Sequence, residues 1–375
     1  LWCHYPEEPA SEHLDMAELF ARSACVGAFQ ISGSLQRLRP ATALVVGNHR
    51  EPQAVEAIAA FACAAWTRRQ LRKARFLQVP WPYPGMSDLD LELEALERAL
   101  GCSVARRPMA DFLRLAEEVT AEEIHSYRNW LEQFPRREVT DEQLQRACCA
   151  SLALLKAAEE WQVEGLALDD LHADLHANLG ARPCLTAPQF FARGQVFGME
   201  GDIAQAIACY AFRLLTGQPV MFIEIFSTDT ARNTLIVGHA GMHDLGVADM
   251  DTVTLTPDYE YECLPQCGAW MEFSVKSGPA TLAQFVMEHP PRLLLVEGEV
   301  LPVRRKVEGF PSAEMRIPTP VHQFMEWAFA AYTTHHWVLI PGRHARALRA
   351  LASIMGMTAL ECGSETPSNE SRLLG

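Results

Sequence analysis

The feature that most constrains the fold is a change of pattern at Gly217-Gln218-Pro219. Before it, short apolar runs alternate with longer stretches of helical periodicity. After it, strand-like runs follow one another, separated by turns rich in Gly, Pro and Asp. Alternating strand and helix predicts a mostly parallel, doubly wound sheet of the α/β class. The second pattern predicts an antiparallel β-barrel-like domain. At 375 residues the chain is long enough for two domains. The expected divisions are an irregular opening segment over 1–16, an α/β domain over 17–218, a β-rich C-terminal domain with late helices over 219–358, and a disordered tail over 359–375.

Helices are predicted at about 14–38, 52–71, 88–100, 108–118, 121–133, 141–161, 186–193 and 201–216. Strands are predicted at 43–46, 76–79, around Val104, and at 165–168 and 195–199. Thr140 before Asp141-Glu142-Gln143 is a helix start, with a side-chain cap and acids in the first turn. In the second part, strands are predicted at 220–226, 234–239, 252–256, 269–275 and 292–299. Helices at about 322–333 and 342–355 flank a strand at 336–340.

The net charge of −15 argues against nucleic acid and anionic membranes as partners. A small neutral or polar ligand fits better. No apolar run reaches the roughly 18 residues of a membrane span, and no signal peptide is visible. The eleven cysteines are odd in number and irregularly spaced, which reads as reduced thiols in a cytoplasmic protein. Cys263 and Cys267 lie four apart, but a zinc clip there needs two further ligands that the sequence does not place.

Several ionisable residues stand in apolar frames. Glu200 follows Val196-Phe197-Gly198-Met199, and Glu224 follows Val220-Met221-Phe222-Ile223. His239 ends Leu235-Ile236-Val237-Gly238, and His335-His336 precede Trp337-Val338-Leu339-Ile340. A carboxylate in apolar surroundings is costly unless it is paired, protonated or bound to a cation. Two carboxylates about 4 Å apart repel by roughly 4 kcal/mol at an effective dielectric of 20. Such a pair must share a proton or hold a cation. Imidazoles nearby favour the cation, and mixed oxygen and nitrogen donors suit Mn²⁺, Mg²⁺ or Co²⁺.

Plainer readings exist for each residue. A Glu before a helix is commonly a first-turn dipole partner. Glu224 has Arg213 and Arg232 as possible salt-bridge partners, and a histidine at a strand end is commonly structural. A rival cluster is Asp169, Asp170, His172, Asp174 and His176, where the two histidines share one face if the segment is helical. His243-Asp244 reads as a hydrogen-bonded pair, and Arg304-Arg305-Lys306 as an exposed basic turn or a phosphate holder. Val46-Gly47-Asn48-His49 lacks the further glycines of a dinucleotide fingerprint. No Gly-x-Ser-x-Gly elbow is present.

The run Gly198-Met199-Glu200-Gly201-Asp202 resembles the Glu-Gly-Asp motif of the L-arabinose and L-fucose isomerase superfamily. The strand ending in Glu224, then Gly238-His239, then His335-His336 resemble that family's later motifs in the same order. The resemblance runs from about residue 20 to 358. It implies an aldose–ketose isomerase with a bound Mn²⁺, a sugar substrate and a homo-oligomeric assembly. It also implies that the family's first α/β domain is absent or reduced to residues 1–16. Glu200 and Glu224 would be metal ligands and the catalytic acid/base pair. His336 and His239 would be further ligands, with His335 beside them toward the substrate. Met199 and Ala240 depart from the Cys found in some relatives, and neither departure removes a ligand. The alternatives are a sugar-binding or regulatory protein without turnover, and an epimerase or lyase acting on a sugar derivative.

Overall fold

The computed structural model describes residues 1–38, 42–260, 267–288 and 290–363. Its first strands are short: β1 (Trp2–Cys3) pairs in parallel with β2 (Val45–Val46). The run at 43–46 is therefore not a buried strand, and Val46 is exposed. The stretch predicted as one helix at 14–38 is two, Met16–Ala21 and Ala24–Leu38, and Asp15 caps the first through the Glu18 N–H.

Four parallel strands follow: β3 (Arg75–Val79), β4 (Ser103–Arg106), β5 (Gly165–Leu168) and β6 (Val196–Gly198). Their order is β4-β3-β5-β6. The intervening helices begin where the sequence signals them. Pro52 opens Pro52–Leu71, and Thr120 and Thr140 each close a capping box with the residue three further on. Because β3 is flanked by β4 on one side and β5 on the other, the sheet changes its direction of winding there. Ligands of open α/β sheets bind outside the carboxyl ends of strands at such a point. Those ends lead here to Pro80-Trp81, Asp169-Asp170 and Met199-Glu200.

The second part holds β7 (Met221–Asp229), β8 (Thr234–Gly238), β9 (Thr254–Pro257), β10 (Ala269–Glu272), β11 (Gly278–Val286), β12 (Arg292–Val300), β13 (Ser312–Arg316), β14 (His336–Pro341) and β15 (Thr358–Glu361). Antiparallel pairings run β7–β8–β13–β12–β11–β14 and return to β7, closing a ring. β15 adds in parallel to β12, and β9 with β10 forms a separate antiparallel pair. Strands β11, β13 and β15 are absent from the sequence-based expectation. β11 opens on Gly-Pro, and β13 carries the charged Glu314 in a buried position. Neither looks apolar enough in isolation.

The apolar runs of the ring have a packing reason. Met221, Ile223, Trp337 and Leu339 join one buried cluster, while Phe222, Val338 and Ile340 join the other. Successive side chains of a strand point to opposite faces. Both faces of β14 and of the first half of β7 are thus covered, which requires a continuous rather than alternating apolar sequence there. Among the described residues no helix is long and apolar enough to cross a membrane.

A buried ionic cluster fastens the loops of the parallel sheet to the second part. Arg182 donates Nε and Nη2 to the two carboxyl oxygens of Asp258, at 2.7 and 3.0 Å, and Nη1 to Asp170 at 3.1 Å. It also pairs with Glu260, and its guanidinium lies 5.3 Å from the Trp270 ring centre. Arg182, Asp170 and Asp258 are buried. Removing one partner of such a cluster strands the others in low dielectric. Arg182→Met should therefore lower the unfolding free energy by about 3–5 kcal/mol. Urea denaturation followed by circular dichroism checks this, and a change below about 1 kcal/mol would contradict it.

Candidate metal centre

The site begins with a turn after β6. Glu200 and Gly201 both take left-handed backbone conformations, with φ of 56° and 73°. For a non-glycine residue that costs of order 1–3 kcal/mol and persists only when surroundings fix it. Here they do. The Glu200 N–H donates to Asp170 Oδ1 at 2.7 Å, and its carbonyl accepts the Tyr83 N–H at 2.9 Å. The Gly201 N–H donates to the Leu168 carbonyl at 2.8 Å. A Cβ on Gly201 would overlap the Trp81 carbonyl and stand 2.8 Å from Pro82 Cα, so the turn needs glycine there.

Asp202, the next residue, has two roles. Its Oδ1 accepts the Gln205 N–H at 3.0 Å and caps the helix Ile203–Thr216. Its Oδ2 accepts from His336 Nδ1 at 2.9 Å. His336 opens β14, where it lies opposite Glu224 of β7. Glu224 in turn lies opposite Gly238 of β8, one residue before His239. Three neighbouring strands thus bring Glu224, His336 and His239 to one end of the ring, facing the Glu200 turn.

Glu200, His239 and His336 each offer one ligand atom, and these atoms all lie within 4.8 Å of one another. His336 Nε2 is 3.3 Å from Glu200 Oε2, and His239 Nε2 is 3.8 Å from Glu200 Oε1. The two Nε2 atoms are 3.2 Å apart. Each ring's far nitrogen is already committed, His336 Nδ1 to Asp202 and His239 Nδ1 to the Ala240 carbonyl at 2.8 Å. If both Nδ1 atoms carry hydrogen, two nitrogen lone pairs and a carboxylate converge on one spot. Such an arrangement needs a proton or a cation between them. Metal-binding histidines characteristically donate their other N–H to a carboxylate or backbone carbonyl. The donor set therefore fits a divalent cation, with one oxygen and two nitrogen donors.

The electrostatics agree. Burial alone would raise the Glu200 carboxyl, but hydrogen bonds from His335 and His336 and the proximity of His239 hold it well below the usual carboxylate range. Burial opposes charge on His336, yet Asp202 and Glu200 push it up to about 9. Burial and the neighbouring His336 push His239 down to about 3. One proton thus sits on the His336 side of the pair, where a cation would otherwise be. Glu224 is raised, first by burial and then by the Glu200 charge acting against His336.

The two further expected residues stand beside the three-residue group. Among the described residues no hydrogen bond or salt bridge engages the Glu224 carboxyl. Its possible arginine partners are used elsewhere: Arg213 pairs with Asp244 at 2.7 Å and Arg232 with Glu314 at 3.2 Å. His335 Nε2 lies 3.4 Å from Glu200 Oε2. Two members of the rival cluster, Asp170 and His176, brace the Glu200 turn. His172 Nδ1 accepts the Asp174 N–H, His176 bonds the Asp170 carbonyl, and Asp170 itself holds Glu200. His243 bonds the His239 carbonyl through Nε2 at 2.9 Å rather than pairing with Asp244. Arg305 pairs with Glu272 and Lys306 with Glu314, so two residues of the basic turn bind buried acids. Cys263, half of the considered zinc clip, and most of the predicted tail, 364–375, lie outside the described residues.

Sequence reasoning missed Asp202, Asp170 and Asp88 as partners of the centre. Asp202 was detectable as a cap, since Gln stands three residues after it at a helix start. Asp88 had no local signal, because its partner His335 is 247 positions away.

Comparison with models of known protein families finds no match. The sequence is 23% identical over 275 residues to the sulfoquinovose isomerase of Priestia aryabhattai. It has the same identity to that of Priestia megaterium (strain ATCC 12872 / QMB1551). The match covers 70% of this chain and 59% of each relative. The chain is thus similar to sugar isomerases and spans less than two thirds of their length.

Cation binding at these three residues must displace the His336 proton. Ligands have to be deprotonated, so affinity follows pH. Mn²⁺ affinity should rise about tenfold per pH unit from pH 7 toward 9, with about one proton released per ion. Calorimetry in two buffers of different ionisation enthalpy checks the proton count. A pH-independent affinity would show that His336 is not displaced.

Proposed function

We propose that this chain is a divalent-cation-dependent aldose–ketose isomerase. What supports this reading most is the convergence of Glu200, His239 and His336 on one point, each imidazole oriented from behind. In this reading those three residues hold the cation and Glu224 completes both the ligand set and the acid/base pair. The likeness to two sulfoquinovose isomerases supports the same reaction class independently.

When bound, a dication such as Mn²⁺, Mg²⁺ or Co²⁺ supplies Lewis acidity for charge developing on substrate oxygens. The chain's own groups do the rest. Glu200 rests as an anion between its imidazole neighbours and holds a proton only in passing. Glu224, half-buried and raised above the usual carboxylate range by burial, is the candidate general base. It takes the proton from C2 of an open-chain aldose and returns it to C1. The matching hydroxyl proton moves from O2 to O1 through Glu200, next to which His335 Nε2 stands. Hydrogen travels as a proton throughout, so no nicotinamide is required. Sulfonated hexoses belong among the substrates to test because of the relatives' named substrate; neutral pentoses, hexoses and sugar phosphates complete the panel.

The full chain loaded with Mn²⁺ should interconvert at least one aldose and its ketose. In D₂O the product should carry deuterium at the carbon that received the proton, as read by NMR. Glu224→Gln should reduce kcat at least about 100-fold, since positioned acid–base groups contribute about 10²–10⁴. Glu200→Gln should lose bound cation as well. Cation binding without isomerisation of any sugar in the panel would instead favour the binding-protein alternative.

A further inference from the structure

We propose that Asp88 is a positioning residue of this centre and acts through His335. Asp88 sits in the turn Ser87–Leu89, in the loop that leaves the carboxyl end of β3. Its Oδ2 accepts two hydrogen bonds from one residue, the His335 backbone N–H at 3.1 Å and ring Nδ1 at 2.6 Å. With backbone and Nδ1 both held, the ring has one orientation. Its remaining nitrogen, Nε2, then faces Glu200 Oε2 at 3.4 Å.

Without that anchor, a half-exposed histidine at a strand entrance has other rotamers that point to water. Fixing a side chain in one rotamer has an entropic cost, and here the two Asp88 bonds offset it. The same loop also holds the other end of the contact. Tyr83 donates its N–H to the Glu200 carbonyl at 2.9 Å, and the buried Leu89 pins the turn. One loop therefore grips both Glu200 and His335, which come from different sheets. The arrangement repeats that of the neighbouring ring, where Asp202 holds His336 Nδ1. Asp88 and Asp202 both line a cavity of about 660 Å³. Shortening Asp88 therefore leaves space continuous with that cavity rather than a sealed void.

The inference rests on the isomerase reading for its rate measurement and on geometry alone for its structural one. Asp88→Ala in the full chain with Mn²⁺ should lower kcat about 10–100-fold, the order of effect that misplacing a group beside the reacting atoms has. KM and Mn²⁺ affinity should stay within about threefold, because His335 is outside the three-residue ligand group. Asp88→Asn keeps a carbonyl oxygen as acceptor and should restore most of the rate. In a crystal structure of Asp88→Ala the His335 ring should turn away from Glu200; in Asp88→Asn it should stay. The inference is overturned if Asp88→Ala retains kcat within about threefold, or if its lost turnover is matched by lost Mn²⁺ affinity. It is equally overturned if the His335 ring is unmoved in the Asp88→Ala crystal. Should the unsubstituted chain isomerise no sugar, the isomerase reading fails, and the crystal comparison still decides the role of Asp88.

Discussion

The site depends first on the carboxylate of Asp202. One oxygen starts the helix Ile203–Thr216 and the other holds the imidazole of His336. These are separate needs: a helix start has donors without partners, and a buried imidazole needs its outer nitrogen satisfied. A single side chain meets both, so the position of the helix and the orientation of the ring are fixed together. The parallel sheet contributes this carboxylate, and the ring of strands contributes the histidine. The contact is therefore also part of what docks one sheet against the other.

Register supplies the remaining order. Glu224 is in a strand paired on both sides, opposite His336 on one neighbour and Gly238 on the other. A slip by one residue would turn every side chain of β7 to the opposite face. Because the start of β7 is buried on both faces, such a slip would also take Phe222 and Ile223 out of their two apolar clusters. The packing of ordinary hydrophobic residues thus enforces the placement of the polar ones. On the other side, the left-handed turn at Glu200 is enforced by Asp170, which the Arg182 cluster holds in place.

Much of this was legible in the sequence, and the limits have physical causes. The helix over 52–71 and the strand over 165–168 were readable because Pro52 opens one and a compact apolar run makes the other. The apolar frames of Glu200, His239 and His336 marked them as costly residues needing partners, and the structure brings those three together. Strands β11 and β13 were not legible because their identity depends on neighbours in the ring rather than on their own composition. The supporting carboxylates were the hardest to see. Asp88, Asp170 and Asp202 are ordinary loop or cap residues until folding brings them against groups far away in sequence. The Arg305 and Lys306 pairs with buried glutamates were hidden for the same reason.

The three potential ligands come from both sheets: Glu200 from the turn after β6, and His239 and His336 from the ends of β8 and β14. An ion held by all three would span the seam between the sheets. Binding to the folded form alone stabilises it by mass action, by about 2.7 kcal/mol when free ion exceeds its dissociation constant a hundredfold. The melting behaviour of the molecule would then report the metal content of its surroundings, with chelators loosening the seam and excess salt of the right ion tightening it. A metal site built this way would double as a rivet.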